Sequence, residues 1–183
     1  MSHRPPRTRP STPRTFTPHT RRTTRRTTRR TKTPSIRTAY FAGGCFWGLE
    51  HRFRSVQHVL RTRVGFMGDT RRATYEEVCA KQTKHAETVE VTYDARRISF
   101  ARLVKAFFSF HDPTTRDKQG PDVGAQYRSI AFYSNPREKR ILCDCIRQWN
   151  AHSSRPIVTE VVHTMAFFEA DEVHQQYYEK RGR

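Results

Sequence analysis

Apolar and polar positions fall into two regimes that meet near residue 38. Before it, almost nothing is apolar beyond Phe16 and Ile36; after it, short apolar runs alternate with segments of helical period. Thr38–Gly44 (TAYFAGG) reads as a strand ending in glycines, with a helix over Cys45–Ser55 following at once. Val59–Phe66 alternates as a second strand, Thr74–Ala80 forms a short helix, and Ala86–Tyr93 (AETVEVTY) is the clearest strand. Of its two faces, Glu87, Val89, Val91 and Tyr93 are the more apolar set, so Glu87 is expected on the core side. Ser99 caps a helix to Phe110 whose inner stripe is Leu103, Val104, Phe107 and Phe108. Ser129–Tyr133 is a strand, and Asn135-Pro136 opens a helix to about Asn150. Val158–Val162 is another strand, and Ala170–Glu179 a last helix. The economical architecture is α+β, one mixed sheet with helices packed on it.

Charge follows the same division. The chain carries 35 Lys+Arg against 17 Asp+Glu, a net +18, yet residues 1–38 hold 11 Arg and one Lys with no acid. So +12 sits in that segment and +6 in residues 39–183. A Thr/Arg/Pro/Ser segment with an RRTT repeat from Arg21 to Thr31 buries too little to offset its chain entropy. It is expected to be a disordered tail, 1–38, ahead of a catalytic domain, 39–183. A transit peptide and an arm for nucleic acid or anionic surfaces are the lesser readings, since no regular apolar face accompanies the arginines. About 145 residues suit one domain with a real core. No stretch approaches the roughly 18 apolar residues of a membrane span. Four cysteines, Cys45, Cys79, Cys143 and Cys145, have no paired spacing, which points to a reducing compartment: cytoplasmic, or an organelle if the tail is a transit peptide.

The chemistry concentrates at GGCFWG, Gly43 to Gly48. Two glycines allow a sharp strand-to-helix turn, and the residue at the turn is a thiol. At a helix N-terminus the backbone N–H groups and dipole favour an anion, so the Cys45 pKa is expected below its reference of roughly 8.5. A lone cysteine after a turn is more often a small core residue, and Phe46 and Trp47 could equally be core.

GGCFWG together with YEEVC (Tyr75–Cys79), KHAETVEVTYD (Lys84–Asp94), HDPTTRDKQGPDVGAQYRS (His111–Ser129) and FFEADEVHQQYY (Phe167–Tyr178) resembles peptide methionine sulfoxide reductase of the A type, in order and over nearly all of 39–183. The resemblance implies a ferredoxin-like α+β fold and reduction of methionine S-sulfoxide, free and in oxidised proteins, by a monomer that binds no cofactor and draws on an external thiol such as thioredoxin. The substrate is one step of methionine oxidation, reversed by separate reductases for its two epimers. It implies Cys45 as nucleophile, becoming a sulfenic acid, and Glu87 as the acid, whose burial would keep a proton near neutral pH. Without the resemblance, Glu87 would read as an ion pair with Lys84 or an arginine. Tyr75 and Tyr127 would hydrogen-bond the sulfoxide oxygen. Asp122, by itself a turn residue, would be a polar wall, Phe46 and Trp47 the methyl recess, and His174 wall or structure rather than a base.

Three departures accompany it. Lys84 stands where glycine usually precedes HAE and, if turned inward, would depress the Glu87 pKa. GFMGD (Gly65–Asp69) replaces a GYxGG-like run and is expected to stiffen a lip of the pocket. No cysteine follows Cys145, so regeneration is expected to use an external thiol directly, with Cys79 in the core and Cys143 and Cys145 facing different ways on one helix. His51, His58, His85, His111, His152, His163 and His174 form no ligand-spaced set, so no metal is expected. Two rivals are weaker. A Cys-His hydrolase explains none of the Glu and Tyr motifs, and a nucleic-acid module lacks a stacking platform or recognition helix within the domain.

Overall fold

The computed structural model describes residues 33–69, 75–80 and 83–182, except the side chain of Cys79. The expected disorder of the tail, apart from 33–38, and the reading of Cys79 as core therefore lie outside the described residues. Thr33–Arg183 forms one unit. Its elements are β1 (Ile36–Ala42), α1 (Phe46–Arg54), β2 (Val59–Met67), α2 (Tyr75–Cys79), β3 (Ala86–Asp94) and α3 (Phe100–Phe110). A two-strand hairpin follows, β4 (Lys118–Gln119) with β5 (Asp122–Val123), then β6 (Ile130–Tyr133), α4 (Pro136–Asn150), β7 (Glu160–His163) and β8 (Phe168–Glu169).

The main sheet runs β7-β6-β1-β3-β2-β8. Its pairings are antiparallel except β6 with β7, so it is mixed, as expected. The predicted caps form: Ser99 Oγ accepts the Arg102 N–H and Asn135 Oδ1 the Glu138 N–H, with Pro136 in the first turn. Helices α1, α3 and α4 supply Phe46, Leu49, Phe53, Leu103, Val104, Phe107, Leu142 and Cys145 to one cluster with Phe41, Val64, Val89, Val91 and Tyr93 of the sheet.

β3 departs from the simple one-face reading. Glu87, Val89, Val91 and Tyr93 face the helices, but the opposite set is buried too, Thr88 at 0% exposure and Glu90 at 7%. Phe167, Met165 and Val162 cover that second face against Met67, Ala86, Ile130 and Phe132. Glu90 is tolerated there because Arg63 donates to both its oxygens, at 2.7 and 2.9 Å, and the Tyr40 hydroxyl donates at 3.1 Å.

The last expected helix, Ala170–Glu179, does not form. Two 3-10 turns, Glu172–His174 and Glu179–Arg181, are separated by Gln175 in extended backbone and Gln176 at φ 51°. Long-range bonds replace the helical ladder. The Gln175 side chain accepts the Val64 N–H at 2.8 Å and donates to the Val64 and Ala170 carbonyls, while the Gln176 N–H donates to buried Glu50 at 2.8 Å. Each tie satisfies a buried group that a helix would have left open. The C-terminal segment is thereby laid along α1 and the β2 edge as a strap.

Candidate active site

The site is built where β1 runs into α1. β1 pairs with β3 as far as Ala42 opposite Thr88, so the next position, Gly43, falls beside Glu87. A side chain on Gly43 would lie 2.9 Å from the Phe107 ring and 3.1 Å from that of His111. Gly44 adopts φ 92°, a conformation glycine takes without strain, and its N–H donates to the Tyr127 carbonyl at 3.1 Å. This turn delivers Cys45 to the N-cap of α1, where the Trp47 and Gly48 N–H groups act on its sulfur in favour of the thiolate.

Glu87, 2% exposed, lies below the thiol. Its Oε2 accepts the Phe46 N–H at 2.9 Å, and its carboxyl and the Cys45 thiol act on one another. Burial raises its pKa to about 7, and the nearby Asp122 charge adds to the rise. Lys84 is exposed and is not among the groups acting on Glu87. Its main chain is tied down instead, the N–H donating to Asp69 at 3.3 Å and the carbonyl accepting from Arg128 at 2.9 Å.

The expectation of a depressed Cys45 pKa is not met. Burial first, then the Glu87 charge, push it up to about 12; the two N–H groups at the helix start oppose the rise without reversing it. A half-buried sulfur against a carboxyl loses more by desolvation and repulsion than one helix turn returns. Burial and the facing carboxyl thus favour the thiol over the thiolate at Cys45.

Around this pair the aromatics form a continuous wall. Phe46 is 1% exposed and packs on Phe66 at 5.7 Å between centroids, making it the back of the recess rather than its open lining. His174 stacks on Tyr75 at 4.4 Å and on Trp47 at 5.8 Å, which places Tyr75 on the same wall. Burial lowers the His174 pKa, and no hydrogen bond links it to Cys45 or Glu87. Asp122 acts on both Cys45 and Glu87 from the β4–β5 hairpin, and Tyr127 joins the turn through its carbonyl. Each residue predicted from sequence thus falls in this one region.

The family model for peptide methionine sulfoxide reductase matches residues 37–183. The chain belongs to the peptide methionine sulfoxide reductase family. It is 46% identical to peptide methionine sulfoxide reductase MsrA of Geobacter metallireducens, over 82% of this chain and 95% of that protein. It is 47% identical to MsrA of Methanothermobacter thermautotrophicus, over 79% and 88%. Among solved structures, methionine sulfoxide reductase A of Corynebacterium diphtheriae superposes with a TM-score of 0.73 at 34% identity, covering 82% of this chain and 77% of that one. Reduced Mxr1 of Saccharomyces cerevisiae gives 0.76 at 31%, over 81% and 87%. Reductases of this family are oxidoreductases acting on sulfoxides, and the fold and turn described above are those of this chain's version.

Sequence reasoning missed two supports of the reductase site. Tyr177 stacks flat on Trp47, 3.6 Å between centroids and 5° between planes, with Arg181 over its other face at 3.6 Å. Only the strap, which does not follow from periodicity, brings it there. His111, read as one of several scattered histidines, backs the Gly43 turn; its ring bonds the Phe107 carbonyl at 2.9 Å and Ser129 Oγ at 2.7 Å. Its position just after a helix and before Asp-Pro was the available signal. Among the described residues no group of His, Cys, Asp and Glu could hold a metal ion.

Proposed function

We propose that Cys45 and Glu87 carry the family's reaction, the reduction of methionine sulfoxide, as nucleophile and proton donor. One observation carries this reading: the thiol at the N-cap of α1 sits beside a buried carboxyl, Glu87, that acts on it electrostatically and whose pKa stands near 7. The thiol proton passes to Glu87 as the sulfur attacks the substrate sulfur, and Glu87 delivers it to the sulfoxide oxygen. The oxygen ends on Cys45 as a sulfenic acid, methionine departs two electrons reduced, and Glu87 is left as carboxylate. Bringing in a neutral sulfoxide excludes water and leaves the pair to exchange its own proton, which suits a nucleophile that is not ionised beforehand.

Tyr75 and Tyr127 donate hydrogen bonds to the oxygen, Asp122 strengthens Glu87 as acceptor of the thiol proton by repelling its negative charge, and Trp47 accepts the methyl group with Phe46 behind it. The titratable groups that act on the thiol are carboxyls, Glu87 foremost and then Asp122, and no imidazole is among them. That favours sulfoxide reduction over Cys-His hydrolysis. An external thiol then attacks Cys45, forming a mixed disulfide and releasing water, and a second thiol frees the enzyme; we assign thioredoxin to this step. Cys143 is exposed and Cys145 buried on α4, consistent with their facing apart, and neither is assigned to resolution. Only one epimer is reduced, because sulfur, oxygen and methyl must reach three different walls at once; the family resemblance makes it the S epimer.

The test is NADPH oxidation through thioredoxin and its reductase, with the two epimers of methionine sulfoxide supplied separately. Turnover of the S epimer alone is expected. Equal turnover of both would overturn the three-wall pocket, and none with any thiol would overturn the reaction.

A further inference from the structure

A second concave surface lies between the end of α1 and the outer face of α3, away from the sulfoxide chemistry. It is a groove of about 790 Å³, within the range of ligand-binding clefts. Arg97, Arg102, Lys105 and His58 line it, and no Asp or Glu does. Arg97, Arg102 and Lys105 are exposed, and among the described residues none of the three forms an ion pair. Asp94 lies near Arg97 but is occupied behind the groove, accepting the Ser35 and Arg96 N–H groups.

The floor is different in kind. Val56, Ile98 and Phe110 form it, with Ile98 only 4% exposed. His58, at φ 75°, turns the wall back toward β3, where its carbonyl accepts the Asp94 N–H at 3.1 Å. The lining follows α3 from Ser99 to Ser109, about 15 Å at 1.5 Å per residue. That length matches about four or five residues of extended chain.

We propose that this groove docks an extended acidic segment of a partner protein, one in which carboxylate and apolar residues alternate. Side chains of an extended segment point alternately to opposite sides, so apolar residues meet the floor while the carboxylates stay at the level of the cationic rim. Single-stranded nucleic acid fits less well. Its bases need exposed aromatic faces, and Phe110 is already packed edge-on against Phe53 at 5.3 Å.

The experiment uses the full chain and a fluorescein-labelled hexapeptide of alternating Asp and Leu, followed by anisotropy. The Arg102→Gln/Lys105→Gln double variant, altered only at exposed positions, should bind about tenfold more weakly, as loss of two exposed ion pairs implies. The basic tail is unchanged in it, so the difference reports the groove; Arg97→Gln alone gives a second measure with a smaller loss. Zero-length carbodiimide coupling should then place the peptide on Lys105 in preference to the exposed Lys118, Lys139 and Lys180. Equal affinity of wild type and both variants, or even coupling to all exposed lysines, overturns the proposal. So does tighter binding of a hexathymidylate that is lost in the same variants, which would make the groove a nucleic-acid site.

Discussion

Replacing Glu87 by Gln separates what this residue does for chemistry from what it costs the fold. The amide oxygen can still accept the Phe46 N–H at the 2.9 Å position, so the turn should survive. What disappears is the exchangeable proton. Single-turnover reduction should fall by about 10²–10⁴-fold, the range for loss of a general acid. Cys45 should at the same time become easier to ionise, because the Glu87 charge is one of the two leading causes holding its pKa at about 12. Alkylation of Cys45 by iodoacetamide at pH 8 should therefore speed up while reduction collapses.

The stability consequence has a definite sign. Glu87 titrates near 7 in the fold against 4.5 for an ordinary glutamate. Between those values the folded state binds a proton that the unfolded chain has released, so stability is present at low pH and lost as pH rises toward 7. Moving from pH 5 to pH 8, this group alone removes about 2.5 kcal/mol. Urea unfolding of wild type and Glu87→Gln at both pH values isolates the effect, since other groups cancel in the difference. The variant should gain about 2.5 kcal/mol on the wild type between pH 5 and pH 8. A pH-independent difference would mean that Glu87 titrates normally, and single-turnover rates equal to wild type would mean that another group delivers the proton.

Other perturbations test the remaining supports. Cys45→Ser should abolish turnover, and wild type given excess sulfoxide without reductant should lose one thiol and form a dimedone adduct on Cys45; a peptide linking Cys45 to Cys79, Cys143 or Cys145 would show an internal resolving cysteine instead. Burial holds the His111 pKa at about 4, below its ordinary 6.5, so the unfolded chain binds a proton first and stability should fall by about 3 kcal/mol as pH drops from 7 to 4. His111→Asn should flatten that acid limb in a pH series of melting curves, and should lower kcat by loosening the Gly43 turn. Tyr177→Ala should red-shift the tryptophan emission and cost about 0.5–1.5 kcal/mol beyond the lost burial, read by urea unfolding; an unchanged spectrum would mean that Tyr177 does not cover Trp47 in solution.

Much of the protein follows from local signals. Capping at Ser99 and Asn135, the alternation of β3 and the apolar stripe of α3 are short-range properties, and they gave the right elements because propensity, cap and burial agree there. GGCFWG likewise predicts a turn into a helix with a thiol at its start, and the side-chain period of a strand puts Glu87 inward. The rest depends on contacts between distant segments. Residues 170–179 have the composition of a helix, but Gln175 and Gln176 reach Val64 and Glu50, 111 and 126 positions away, and those buried bonds outweigh local preference. The second covered face of β3 depends on Phe167 and Met165 arriving from the far end of the chain. The Cys45 pKa shows the same division most sharply. Sequence supplies the helix start that favours a thiolate, while only the packed structure supplies the burial and the facing carboxyl that disfavour it, and desolvation is the larger effect.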